Sequence, residues 1–226
     1  MISLQPDDIT AIRLSLMVAT AATIIALPAG FAAAYLLAFS KIRGKAIIEG
    51  IINLPLVLPP VIVGYLLLLL FGRNGWAGSI LSHFGINVIF TLKAAVIASA
   101  IVGFPLLVRS IRIGMENINI QYLHASRTLG ATWCDTLFSI TVPLCYKATL
   151  AGMTLMFARS LGEFGATIIL AGNIPGVTQT IPLAIYQYTS TPGGDKMALS
   201  LCMVSIGLSF LVLLISDAAN RKIVRS

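Results

Sequence analysis

Runs of about 20 mostly apolar residues recur along this chain, and that is the length an α-helix needs to cross the ~30 Å hydrocarbon core of a bilayer. In lipid every backbone N–H and C=O must find its partner within the structure, so such runs fold as membrane helices. Five crossings are expected, at residues 14–39, 51–71, 88–108, 148–171 and 197–215, and the predicted class is an all-α integral membrane protein. Arg159 and Glu163 interrupt the fourth run. Residues 181–188 are too few to span and are expected as a surface or re-entrant piece. Composition excludes the soluble alternative: with 58% hydrophobic and 10% charged residues, a globule in water would expose apolar patches far beyond the usual limit.

Orientation follows from the cations in the short loops, which favour the cytoplasmic side. Lys41, Arg43, Lys45, Arg109, Arg112, Arg127, Lys147, Arg221, Lys222 and Arg225 fall on one side; Arg13, Arg73, Lys93 and Lys196 fall on the other. The bias predicts an external N-terminus and a cytoplasmic C-terminus. It also accounts for the net charge of +7 through lipid headgroups, with no role for nucleic acid. The first run follows Asp7 and Asp8 and exceeds the ~7–15-residue apolar core of a secretion signal, so it is expected to remain in the protein. Cys134, Cys145 and Cys202 form no close pair and, with His83 and His124, no metal-ligand spacing, which predicts structural thiols and no metal.

Between the third and fourth runs lies a polar, helix-forming insert, residues 119–143. Tyr122, Ala125, Ser126 and Leu129 fall on one helical face, two small side chains between two larger ones, a shape suited to another protein's groove. Gly130 is placed to end that helix in the left-handed conformation, and Thr132 with Asp135 reads as the capping box of a second short helix. A solvated amphipathic loop is the plainer alternative. The order Ala125, Ser126, Gly130, Ile140, Val142, Pro143 resembles the coupling motif of membrane subunits in ABC importers. His124 stands where that motif has glutamate, Ser126 where it has its second alanine and Val142 where it has leucine. The resemblance implies contact with a cytoplasmic ATPase through Tyr122, His124, Ala125, Ser126, Leu129, Gly130 and Ala131.

Three further features lie within or beside the membrane. Pro55, Pro59 and Pro60 in the second run, and Pro105 in the third, remove backbone donors and predict kinks, static or hinged. Residues 158–167, ARSLGEFGAT, place Arg159 and Glu163 four apart, where one helix face lets them pair, while Gly162, Gly165 and Ala166 permit close approach of a neighbour. That pair is either structural or part of a pathway, with Arg159 the group suited to contact an anion. The loop after the fourth run, with Gly172, Asn173, Pro175 and Gly176 and later Pro192, Gly193, Gly194 and Asp195, is rich in turn formers. It serves either as a docking site for an extracytoplasmic partner or as ordinary connection.

No phosphate-binding loop, nucleophile elbow or two-histidine zinc pattern occurs in the sequence, so any energy source must be a partner. A passive channel or scaffold would need no such partner. A membrane enzyme is disfavoured because no nucleophile or metal pattern surrounds the acid–base pair. LPLVLPPVIVGYLLL, the insert, ARSLGEFGAT, TIPLAIY and TPGG together resemble the permease subunits of bacterial molybdate ABC importers, with LGEFGA shared by sulfate and thiosulfate permeases. The resemblance implies one type I importer membrane domain over residues 1–226, in the inner membrane. It is expected to dimerise, to bind two cytoplasmic ATPase subunits, and to receive molybdate or tungstate from an extracytoplasmic binding protein. ATP would be held by the partners and no cofactor by this chain. Arg159, Glu163, Gly162, Pro59 and Pro60 are the candidates for pathway or gate. Some members carry a further N-terminal crossing; five are expected here.

Overall fold

A computed structural model describes residues 5–40 and 43–224. Lys41 and Arg225 of the charge argument lie outside those residues, as do the side chains of Arg221 and Lys222. In chain order the elements are α1 (Pro6–Phe39), α2 (Lys45–Val57), α3 (Pro60–Phe71), α4 (Trp76–His83), α5 (Leu92–Glu116), α6 (Ile120–Thr128) and α7 (Trp133–Thr136). A π-helical turn (Leu137–Thr141) then leads into α8 (Val142–Leu161), followed by α9 (Gly165–Leu170), α10 (Ile181–Thr189) and α11 (Asp195–Val224).

Four stretches are long and apolar enough to cross a bilayer: α1, α5, the continuous run Trp133–Leu161, and Asp195–Ile215 of α11. α1, α5 and α8 form the centre. Val18 packs among Ala94, Ala98 and Val102, whereas Ala34 and Leu37 pack among Leu107, Ile111 and Met115, so α1 and α5 run in the same direction. α8 runs the opposite way, because Gly103 faces Met156 while Gly114 faces Ala148. Small residues at these crossings bring the backbones close, the usual basis of helix association in lipid. Leu66, Leu69, Ile206 and Phe210 are among the large apolar side chains left exposed on the periphery.

The second expected crossing, residues 51–71, is not a straight helix. α2 and α3 meet at a bend of 112°, and the cause is local. Leu58 precedes Pro59, which precedes Pro60, and a residue before proline is driven out of the helical region; Leu58 (φ −70°, ψ 143°) and Pro59 (φ −52°, ψ 132°) are both extended. Pro60 then opens α3, where its missing N–H costs nothing. Single prolines do not break their helices: α2 continues through Pro55, α1 through Pro28 and α5 through Pro105. The fourth expected crossing, residues 148–171, is also corrected. Its helix starts earlier and ends at Leu161, and residues 162–164 separate it from α9. Residues 181–188, expected only as a piece too short to span, lie in the short helix α10, which buries Ile181, Leu183 and Ala184.

α10 is held against the first turns of α1. The Ile181 N–H donates to Ser15 Oγ (2.7 Å) and the Tyr188 hydroxyl donates to Asp8 Oδ1 (2.8 Å). Burial, with the Asp8 carboxylate beside it, pushes the Tyr188 phenol up to about 12, so it remains a donor at physiological pH. At the opposite end of the bundle Arg112 of α5 bonds Glu49 of α2 (2.6 Å) and Glu116 one turn on (2.7 Å), fixing α2 to α5.

Candidate functional site

At the end of the bundle away from α10, the insert forms two short helices joined by a tight turn. Asn119 caps α6 by accepting the Gln121 N–H at 3.0 Å. Gly130 has φ +85°. Its N–H donates to Arg127 O (3.1 Å) and the Ala131 N–H donates to Ser126 O (3.0 Å), the paired bonds of a Schellman end. Thr132 opens α7 through reciprocal bonds: its N–H donates to Asp135 Oδ2 (2.9 Å) and its hydroxyl oxygen accepts the Asp135 N–H (3.3 Å). Both local features predicted from the sequence are present.

The face of α6 is less uniform than its spacing implied. Tyr122, His124, Ala125, Leu129 and Gly130 are exposed, Leu129 to 88%, and Ala131 is half-buried. Ser126 turns inward: its Oγ lies 3.0 Å from Thr136 Oγ1 and donates to Leu123 O (3.0 Å), so it locks α6 onto α7 rather than facing outward. Tyr122, Ala125, Leu129, Ile140, Pro143 and Leu144 border an open groove of about 420 Å³ between α6 and the base of α8.

The second candidate region is where α8 stops. Arg159 Nη1 lies 2.7 Å from Glu163 Oε2, an ion pair by distance without hydrogen-bond alignment, with the Glu163 side chain 1% and the Arg159 side chain 29% exposed. The pairing expected from the spacing is present, but not on a helix face, because Glu163 lies beyond Gly162 and outside the helix. Its Oε1 accepts the Ala166 N–H at 2.9 Å, so one carboxylate binds the guanidinium and supplies an orphan donor at the start of α9 with its acceptor. The two backbone breaks meet here. A Cβ on Gly165 would stand 2.9 Å from Pro60 Cβ, and one on Gly64 would stand 2.8 Å from Ala166 Cα.

Thus Pro60, Gly162, Glu163 and Arg159 belong to one neighbourhood, with Pro59 at the start of α3. Three contributors were not singled out from the sequence. Gly64 is an isolated small residue in an apolar run, a legible sign of close approach. Phe164, whose ring lies 5.3 Å from that of Tyr186 on α10, and Tyr35, whose ring lies 5.6 Å from that of Trp133, pair across long sequence distances that no local pattern reveals. The thiols of Cys134, Cys145 and Cys202 are free, and no cluster of metal-ligand side chains occurs among the described residues.

A broken second crossing against an interrupted fourth, with a helix-turn-helix insert at one end, is the transmembrane fold of type I ABC importers. Residues 26–225 match the family described as the binding-protein-dependent transport system inner membrane component, and the chain belongs to that family. It is 49% identical over 216 residues to the molybdenum transport system permease protein ModB of Haemophilus influenzae, covering 95% of this chain and 94% of that one. The ModB of Escherichia coli K12 is 48% identical over 208 residues, covering 92% and 91%. The sulfate transport system permease protein CysW of Synechococcus elongatus is 36% identical over 185 residues, covering 80% and 65%. Among solved structures, a bacterial alginate ABC transporter in complex with its alginate-bound periplasmic protein superposes with a TM-score of 0.78 at 16% identity, covering 97% and 80%. The inward-facing MetNI methionine ABC transporter gives 0.69 at 16%, covering 95% and 93%.

Proposed function

We propose that this chain is the permease subunit of an ATP-driven importer that moves molybdate across the bacterial inner membrane by alternating access. The observation that carries the substrate is the similarity itself: the relatives named for molybdenum match more of this chain, at higher identity, than the relative named for sulfate. In this reading two copies enclose the pathway, an extracytoplasmic protein delivers the anion, and two ATPase subunits hold and hydrolyse ATP. The N-terminus and α10 face outward; α6, α7 and the C-terminus face the cytoplasm, in keeping with the cation bias.

The exposed face of α6, with Tyr122, His124, Ala125 and Leu129, enters the ATPase, and Gly130 and Ala131 set its angle. Docking drives transport only if the contact differs in strength between the open and closed ATPase, since equal affinity for both shifts no equilibrium. At the break, Glu163 holds Arg159 while the guanidinium keeps part of its surface open, so the arginine offers a passing oxyanion a weak contact. Gly162, Pro59 and Pro60 let the two breaks shift. Labelled molybdate uptake in cells lacking their own permease, expressing this chain with its partner subunits, tests the reading. ATP-dependent uptake that resists excess sulfate is expected; uptake abolished by sulfate would assign a sulfate permease instead.

A further inference from the structure

Trp133 is the first residue of α7, and its Nε1–H donates to the Tyr35 hydroxyl of α1 at 2.8 Å, across 98 residues of chain. The rings meet edge to face, 5.6 Å apart at 88°, the arrangement that aromatic quadrupoles favour. Tyr35 also lies 5.0 Å from Phe39, and both pack on the buried cluster that joins α1, α5 and α8. Among the described residues this is the one hydrogen bond between the insert and α1. The chain itself connects the insert to α5, through residues 117–119, and to α8, through the π-helical turn. It does not connect it to α1, the third member of the central triad.

We propose that Trp133 and Tyr35 form a clasp that passes movement of the docking helix to α1. The path has three links. A partner seated on α6 displaces it; the Ser126–Thr136 contact (3.0 Å) and the Thr132–Asp135 box move α7 with it; and Trp133 carries α7's displacement to Tyr35. Trp133 is 55% exposed, so the clasp adds little to the buried core, and its value lies in joining two elements that share no covalent connection. Coupling along packed side chains is established only by measured non-additivity, which defines the test.

The inference rests on the proposed transport function, and the experiment separates the two. The complete transporter, with its ATPase subunits and binding protein in proteoliposomes, is assayed for ATP hydrolysed per molybdate imported. Tyr35→Phe removes one oxygen and keeps the ring; Trp133→Phe removes the donor and keeps an aromatic. Each is expected to raise the ratio at least threefold with ATPase association unchanged, and the double variant to raise it no further than the worse single. Singles at the wild-type ratio, or singles whose effects multiply in the double, would overturn the clasp. A wild-type complex that imports no molybdate would instead refute the transport function itself.

Discussion

Arg159 and Glu163 show how much one buried carboxylate can organise. Removing one partner of a buried pair typically costs ~3–5 kcal/mol because a charge is left uncompensated, whereas neutralising both costs far less. Arg159→Gln alone is therefore expected to lower both assembly and uptake. Arg159→Gln with Glu163→Gln is expected to recover assembly, measured by size-exclusion yield, while uptake stays at least tenfold down. Full uptake by that double variant would remove Arg159 from the pathway. Gly130 stands at φ +85° with open space around it, so its requirement is conformational. A β-branched residue there costs about 1–2 kcal/mol or more, and Gly130→Val is expected to weaken ATPase capture in pull-down, with Gly130→Asn milder. These turn features were legible in the sequence because a glycine end and a capping box act over three to five residues. Trp133–Tyr35 and Phe164–Tyr186 were not, since pairing across the chain leaves no trace in local spacing.

Helices pose a different question of legibility. Hydropathy reports how long an apolar run is, not whether it is straight, so residues 51–71 had the length of a crossing while the consecutive prolines at its centre turned it by 112°. The proline signal was present, and its strength lay in the Pro59–Pro60 pair, which forces two successive residues out of the helical region; Pro55 and Pro105 alone leave their helices continuous. The same limit applies at residues 162–164, where the apolar run is interrupted only by Gly162 and Glu163 and resumes after them, while the helix stops. Packing of α3 on α9 is testable through Gly64, where a Cβ would meet backbone atoms of Ala166 at 2.8 and 2.9 Å. Gly64→Ala is expected to destabilise by about 1–3 kcal/mol through overpacking. Gly207→Ala, with nothing within 4 Å, is expected to be neutral or stabilising by ~0.5–1 kcal/mol. Thermal unfolding in detergent distinguishes them, and equal effects would contradict the tight α3–α9 contact.

At the scale of the molecule, the insert proposed to dock an ATPase sits at one end of a bundle that is broken between α2 and α3 and again between α8 and α9. Cys134, exposed on α7, reports the orientation. A membrane-impermeant thiol reagent is expected to label it in inside-out vesicles and not in right-side-out ones, with protection when ATPase subunits are bound; the reverse would invert the proposed topology. The membrane class, the approximate number of crossings and the helix–turn–helix form of the insert were legible because each is written in hydropathy and short-range spacing. The way the two broken elements nest depends on contacts between residues some 100 positions apart, which composition does not encode. The most direct test of the central claim is molybdate accumulation in proteoliposomes containing this chain and the binding protein, with and without the ATPase subunits and ATP. Accumulation against a gradient that requires both is the predicted result. Molybdate flux of equal rate without ATPase subunits would show a passive channel and contradict the account.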